Sequence, residues 1–145
     1  MPFHAPVSEK EREHVLRPNE IVTEVRIPLK EGTKNASYEV RHKLSYDWPL
    51  VQAAVALKQD GGKADGVRIV LGHVAPTPHV ADAAARALSG KEISEETAAA
   101  AGKAAAEGAK PLQQNGYKIR LIEVAVKRAI LIAAGHKKYW EMENA

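Results

Sequence analysis

The chain has 145 residues, about the length of one domain, and its 45% hydrophobic and 27% charged content is typical of a globular protein. Its net charge of +3 arises from 21 basic and 18 acidic residues that are interspersed, so nothing indicates a nucleic-acid partner. No cysteine is present, which excludes disulfides, thiol nucleophiles and cysteine-ligated metal centres.

The beginning of the chain lacks the apolar core of a signal peptide, and no stretch approaches the roughly 18 apolar residues of a membrane-spanning helix. We therefore expect a cytoplasmic protein with no membrane partner. Residues 1–19 contain three prolines and a dense charged patch, so they are interpreted as a surface lead-in. Residues 21–27 alternate between apolar and polar side chains before Pro28, which predicts a half-buried strand.

The central stretch, residues 38–57, contains two strand-like runs on either side of a polar corner at residues 45–49. In the second run, residues 51, 53, 55 and 57 are apolar and share one face of the predicted strand. Pro49 lacks an amide hydrogen and biases Trp48 toward an extended or turn conformation, so the corner cannot continue a central strand. We expect a loop at the sheet edge that carries one acid and two aromatic residues, a common location for function.

A tight hairpin is predicted at residues 60–63, because Gly61 and Gly62 accept the positive φ angles that such turns require. The next strand, residues 67–71, then pairs antiparallel with residues 50–57. Two prolines in residues 72–79 predict an irregular or extended segment.

Three helices follow in the predicted order. The first covers residues 81–88, and the second is capped by Ser94 and reaches about residue 109, with small side chains that allow close approach of a neighbour. At the capping box of that second helix Thr97 stands where glutamate is usual. The third starts near Tyr117 and carries an apolar stripe at steps of three and four. Strands first and helices last indicate an α+β domain: an antiparallel sheet of three to four strands, covered on one face by about three helices.

Candidate chemistry concentrates at the corner, where Arg41, Lys43 and Asp47 lie close together in the sequence. This set suits a flavin ring or an anionic ligand, and the alternative is an edge-strand ion pair in water, worth at most about 1 kcal/mol. No histidine pair has metal-ligand spacing on a helix, and neither a G-x-G-x-x-G nor a P-loop pattern occurs. The sequence therefore predicts no metal site and no catalytic residue.

Three ordered motifs resemble one family. They are residues 16–28 (LRPNEIVTEVRIP), 38–49 (YEVRHKLSYDWP) and 69–78 (IVLGHVAPTP), with further similarity at residues 117–121 and 126–129. Together they resemble the C-terminal domain of the FAD-binding medium subunit of molybdenum hydroxylases, which include carbon monoxide dehydrogenase, xanthine dehydrogenase and aldehyde oxidase-like enzymes. The resemblance implies a lead-in at residues 1–19 that matches the end of the FAD-binding domain, and a C-terminal-like domain at residues 20–145.

The resemblance also implies a function. Lys43, Asp47 and Trp48 are expected on a loop that flanks the flavin, where nearby charge tunes the potential of the cofactor. FAD is expected in the complete subunit but not in this chain alone, which should be inactive in isolation. The implied partners are the FAD-binding domain, the molybdenum-binding large subunit and the small [2Fe-2S] subunit. The alternative is a stand-alone interaction module without flavin, which docks a protein through the alanine-rich helix and the cations Arg120, Lys127 and Arg128.

Overall fold

The computed structural model describes residues 14–43 and 46–136. Four antiparallel strands form one sheet in the order β1-β2-β3-β4: β1 Lys34–Val40, β2 Val51–Asp60, β3 Lys63–Gly72 and β4 His79–Val80. Three helices follow: α1 Asp82–Leu88, α2 Glu95–Ala106 and α3 Lys118–Ala133. Helix α3 packs on β1 and β2, α1 packs on β3, and α2 packs against both other helices. The predicted α+β class, the strand number and the three helices are confirmed, and only the two-residue strand β4 was not predicted.

The alternation along β2 explains which face of the sheet is covered. Val51, Ala53, Val55 and Leu57 are buried beneath the helices, while the residues between them are half-buried or exposed. In β3, Ile69 and Leu71 complete this apolar floor. Successive side chains of a strand point to opposite faces of the sheet. The pairing register of β2 with β3 therefore determines which of their side chains face the helices.

The hairpin between β2 and β3 is confirmed at the predicted position. Gly61 and Gly62 have φ angles of +54° and +83°, as a type I′ turn requires at both central residues. The twist of this turn matches the twist of the strands that it joins, which places the end of β3 beside the start of β2. Gln52 pairs with Gly72 in that register.

Helix α2 approaches α3 closely through its small side chains, as expected from the sequence. A Cβ atom added at Gly102 would lie 2.4 Å from the carbonyl oxygen of Glu123, so only glycine fits at this crossing. At the start of α2, Ser94 and Thr97 exchange hydrogen bonds: the Ser94 amide donates to the Thr97 hydroxyl (2.9 Å) and the Thr97 amide donates to the Ser94 hydroxyl (3.2 Å). The threonine therefore completes the capping box in the position that glutamate usually takes.

The prediction of a half-buried strand at residues 21–27 is wrong. No strand is present there, and Ile21, Val25, Ile27 and Leu29 all expose most of their surface. The sequence of this stretch is amphipathic, but among residues 14–43 and 46–136 no apolar surface covers it. We call residues 21–29 the apolar segment. Trp140 lies outside the described residues, and within them no helix is long and apolar enough to cross a membrane.

Candidate functional site

The corner between β1 and β2 is held by one backbone hydrogen bond at its base and by the side chain of Asp47 within the loop. The Leu50 amide donates to the carbonyl oxygen of Val40 at 2.8 Å, directly before the strands begin to pair. Within the loop, one carboxylate oxygen of Asp47 accepts from the amides of His42 (3.1 Å) and Lys43 (3.0 Å). Asp47 therefore holds the shape of the loop, because a carboxylate that accepts two backbone donors fixes their positions.

The predicted ion-pair set is arranged differently from the expectation. Arg41 pairs with Glu39 at the end of β1, and neither Arg41 nor Lys43 forms an ion pair with Asp47 within the described residues. Lys43 is exposed and its side chain does not line the depression beside the corner. The structure thus brings Asp47 and Trp48 together and leaves Lys43 at the periphery of the loop.

An open depression of about 480 Å³ lies at this corner, and it is rimmed by aromatic side chains. Tyr46 is fully exposed and Trp48 is 83% exposed. The ring of Trp48 lies 6.2 Å from the ring of His73, with an angle of 54° between their planes. We call Tyr46, Asp47, Trp48 and His73 the aromatic corner.

His73 is a member of the corner that the sequence analysis missed. It follows β3, and the β2–β3 hairpin register carries it across to the start of β2. A signal was available: counting back from the predicted turn at residues 60–63 places residue 73 opposite residue 50, beside the corner. The carbonyl oxygen of His73 accepts a hydrogen bond from the Lys118 ammonium at 3.0 Å, which ties the loop after β3 to the start of α3.

Backbone strain is concentrated at the same place. Among the described residues, the non-glycine residues with positive φ are Tyr46 (+54°) and His73 (+62°), and both line the depression. The left-handed region costs an L-residue about 1–2 kcal/mol. Strained residues of this kind cluster at ligand sites, so the geometry favours the corner as the functional part of the sheet edge.

The cations proposed as an interaction face are largely engaged inside the domain. Arg128 donates to the hydroxyl of Tyr38, with its guanidinium carbon 5.2 Å from the centre of that ring. Lys127 pairs with Glu95 of α2 at 2.8 Å. Arg120 pairs with Glu123, one turn further along α3. The contacts of Arg128 and Lys127 join different elements of the fold, so these two side chains are engaged within the domain. In the part of the chain that the structure describes, Arg120 pairs only within α3 and keeps 74% of its side chain exposed.

A second, smaller cavity of about 190 Å³ lies on the other side of the loop after β3. Its floor is apolar and includes Leu71, Ala105 and Ile122, and lysines 110 and 118 stand at its rim. Within the described residues, no three or more acidic or histidine side chains are grouped so that they could hold a metal ion.

Comparison with known proteins identifies the family. The family described as CO dehydrogenase flavoprotein C-terminal domain matches residues 36–133. The carbon monoxide dehydrogenase medium chain of Hydrogenophaga pseudoflava is 31% identical over 120 residues, which cover 80% of this chain and 42% of the relative. The medium chain of Afipia carboxidovorans is 29% identical over 130 residues, which cover 85% of this chain and 44% of the relative.

Solved structures agree with the sequence relatives. A structure of carbon monoxide dehydrogenase from Hydrogenophaga pseudoflava superimposes with a TM-score of 0.72 at 36% identity, covering 83% of this chain and 43% of that one. Quinoline 2-oxidoreductase from Pseudomonas putida 86 gives a TM-score of 0.69 at 34% identity, covering 75% of this chain and 39% of that one. The chain thus spans less than half the length of these relatives, and it belongs to the CO dehydrogenase flavoprotein C-terminal domain family.

Proposed function

We propose that this chain serves as the C-terminal part of the FAD-binding subunit of a molybdenum hydroxylase-type oxidoreductase, and that it flanks the flavin without holding it. The observation that carries this proposal is the family membership of residues 36–133 together with the short coverage of the medium-chain relatives. More than half of each relative has no counterpart here. We place the main FAD-binding surface in that unmatched portion of the medium chain.

The aromatic corner is the part of the chain that we assign to the flavin. Tyr46 and Trp48 present exposed aromatic surface to a wide depression, which suits a planar ring that needs apolar contact on one side. Asp47 contributes by fixing the loop, and Lys43 contributes an exposed positive charge nearby. When FAD is bound, it supplies the electron-accepting chemistry, while these side chains limit water access and set the local charge.

The pyrophosphate of FAD has no evident place on this chain. Phosphate groups of dinucleotides are usually held by glycine-rich loops and backbone amides at a helix N-terminus. The sequence contains no such loop, and the residues that line the depression at the corner include no glycine. We therefore assign ring contacts to residues 20–145 and phosphate contacts to the FAD-binding domain, the end of which residues 1–19 resemble.

Assembly follows from the same proposal. The complete enzyme would contain a large molybdenum-binding subunit and a small [2Fe-2S] subunit, and the flavin would receive electrons from the iron–sulfur clusters. This chain would then complete one wall of the flavin site and part of the subunit interface. It supplies no nucleophile or acid–base group for the hydroxylation itself.

The experiment combines a flavin titration with co-purification. The isolated chain should purify colourless and should show no stoichiometric binding when FAD is added, because the phosphate-binding surface is absent. The same chain, expressed with an affinity tag in its native host, should co-purify with molybdenum-containing and [2Fe-2S]-containing polypeptides, identified by metal analysis. A stoichiometric yellow complex of the isolated chain, or co-purification without molybdenum and iron, would contradict the proposal.

A further inference from the structure

The apolar segment has the residue pattern of an amphipathic strand without the structure of one. Ile21, Val25, Ile27 and Leu29 are 76–96% exposed, and they share one side of an extended chain. On the opposite side, Glu24 and Arg26 form an exposed ion pair at 2.6 Å. Fully burying one such aliphatic side chain is worth about 1.5–3 kcal/mol, so four exposed together represent a large unused driving force.

The segment does not join the sheet of this domain, although it immediately precedes β1. A turn links the two: the Thr33 amide donates to the carbonyl oxygen of Lys30 at 3.1 Å. Of its two central residues only the second, Gly32, has a positive φ angle (+71°), as in a type II turn. Turns of this type splay the strands that they connect, in contrast to the type I′ turn between β2 and β3.

Pro28 opposes the same pairing. If the segment continued from the turn along β1, Lys30 with Thr33 would be a hydrogen-bonded pair, and the next such pair would be Pro28 with Asn35. Proline has no amide hydrogen to donate to that pair. Consistent with both obstacles, no backbone hydrogen bond within the described part of the chain joins residues 21–29 to another segment.

The relatives indicate that this segment belongs to the longer subunit. The family match begins at residue 36. Residues 36–145 make up less than 80% of the 145-residue chain. The matches to the two medium chains cover 80% and 85%, so they include part of the region before residue 36. More than half of each medium chain still lies outside the match.

We propose that the apolar segment is a docking strand: it pairs with an open β-sheet edge in the flavin-binding part of the medium chain and buries its apolar side there. The inference rests on the proposed function, because that function supplies the partner. Backbone hydrogen bonds would align the segment with the strand at the sheet edge. The alternating apolar side chains would determine the register of the pairing. The splayed turn at residues 30–33 then directs the strand away from β1 and fixes the orientation between the two parts of the subunit.

The test mixes this chain with the portion of the Hydrogenophaga pseudoflava medium chain that lies outside the match, after circular dichroism and bound FAD have shown that this portion is folded. The measurements are the dissociation constant and amide hydrogen exchange over residues 20–29. The variant Val25→Ser/Ile27→Ser should weaken the complex about 100-fold or more, because two aliphatic side chains lose their burial. The matched variant Glu24→Ser/Arg26→Ser alters the other side of the same strand and should change affinity by less than about fivefold.

Complex formation with protected amides and selective loss in the apolar variant supports the docking strand. A complex in which residues 20–29 exchange freely and both variants bind equally overturns the docking strand but leaves the proposed function standing. Protection that appears only in a concentration-dependent dimer of this chain overturns it in favour of a second copy. Absence of any complex contradicts the proposed function as well as the strand.

Discussion

The packed body of the domain and the apolar segment show what an alternating pattern does and does not determine. The alternation in β2 is buried because a neighbouring strand lies on each side and helices cover one face. Residues 21–29 show a similar alternation, interrupted by Val22 and Thr23, yet its apolar side faces solvent. Periodicity therefore specifies which side chains share a face, while burial depends on whether the chain supplies a surface to cover that face.

A matched pair of leucines tests this difference with the largest expected effect. Leu57 of β2 is 0% exposed and Leu29 of the apolar segment is 96% exposed. Leu57→Ala should lower the free energy of unfolding by about 2–5 kcal/mol, because it leaves a cavity in the core. Leu29→Ala should change it by less than about 0.5 kcal/mol. Urea unfolding of both variants measures this, and equal losses would show that the segment packs on the domain in solution.

The crossing of α2 and α3 tests how tightly the body is packed. Gly102→Ala should lower the free energy of unfolding by about 1–3 kcal/mol, because the new methyl group would collide with the backbone of Glu123. Gly116→Ala is the control, since a Cβ atom there meets nothing within 4 Å. Thermal unfolding should show the control unchanged or slightly more stable. A harmless Gly102→Ala would mean that the two helices can separate.

The corner is held more weakly than the core. Asp47→Ala removes the acceptor for two backbone amides and should lower the free energy of unfolding by about 1–2 kcal/mol. Amide exchange should accelerate at His42 and Lys43 in particular. Asp65→Ala is the control: Asp65 is an exposed aspartate of β3 that makes no side-chain hydrogen bond within the described residues. Unchanged exchange at the two amides would show that another group holds the loop.

The cap of α2 should give the smallest effect among these variants. Thr97→Val keeps the shape of the side chain but removes the hydroxyl that accepts from the Ser94 amide. We expect a loss of about 1 kcal/mol in the free energy of unfolding, which is usual for a helix cap. Thr23→Val in the apolar segment is the control and should be neutral in the isolated chain. Equal stability of both variants would show that the threonine is not part of a working cap.

The sequence predicted the parts of the fold in which local signals agree. Gly61 and Gly62 fixed the hairpin, the alternation from residue 51 fixed the buried face, and Ser94 marked the start of α2. The segment at residues 21–27 was misplaced because pattern alone does not reveal the partner of a strand. This exposed amphipathic segment is the observation on which the proposed docking strand rests.

The site was predicted only in part. Asp47 and Trp48 lie at the corner because they are local to the loop between β1 and β2. His73 is 25 residues from Trp48 in the chain and reaches it only through the register of the hairpin. The left-handed backbone of Tyr46 and His73 carries no sequence signal, because neither residue is glycine. The flavin-facing role of Lys43, Asp47 and Trp48 stays a prediction from the resemblance.

The visible absorption spectrum of the flavin in the reconstituted subunit tests the central claim most directly. With this chain bound to the flavin-binding part of the medium chain, Trp48→Ala should shift the flavin bands, because the proposed function puts this exposed ring next to the isoalloxazine. Leu112→Ala, which removes an equally exposed side chain from the connector between α2 and α3, should leave them unchanged. Identical spectra for the unmodified chain and both variants would contradict the account, because the aromatic corner would then not be next to the flavin.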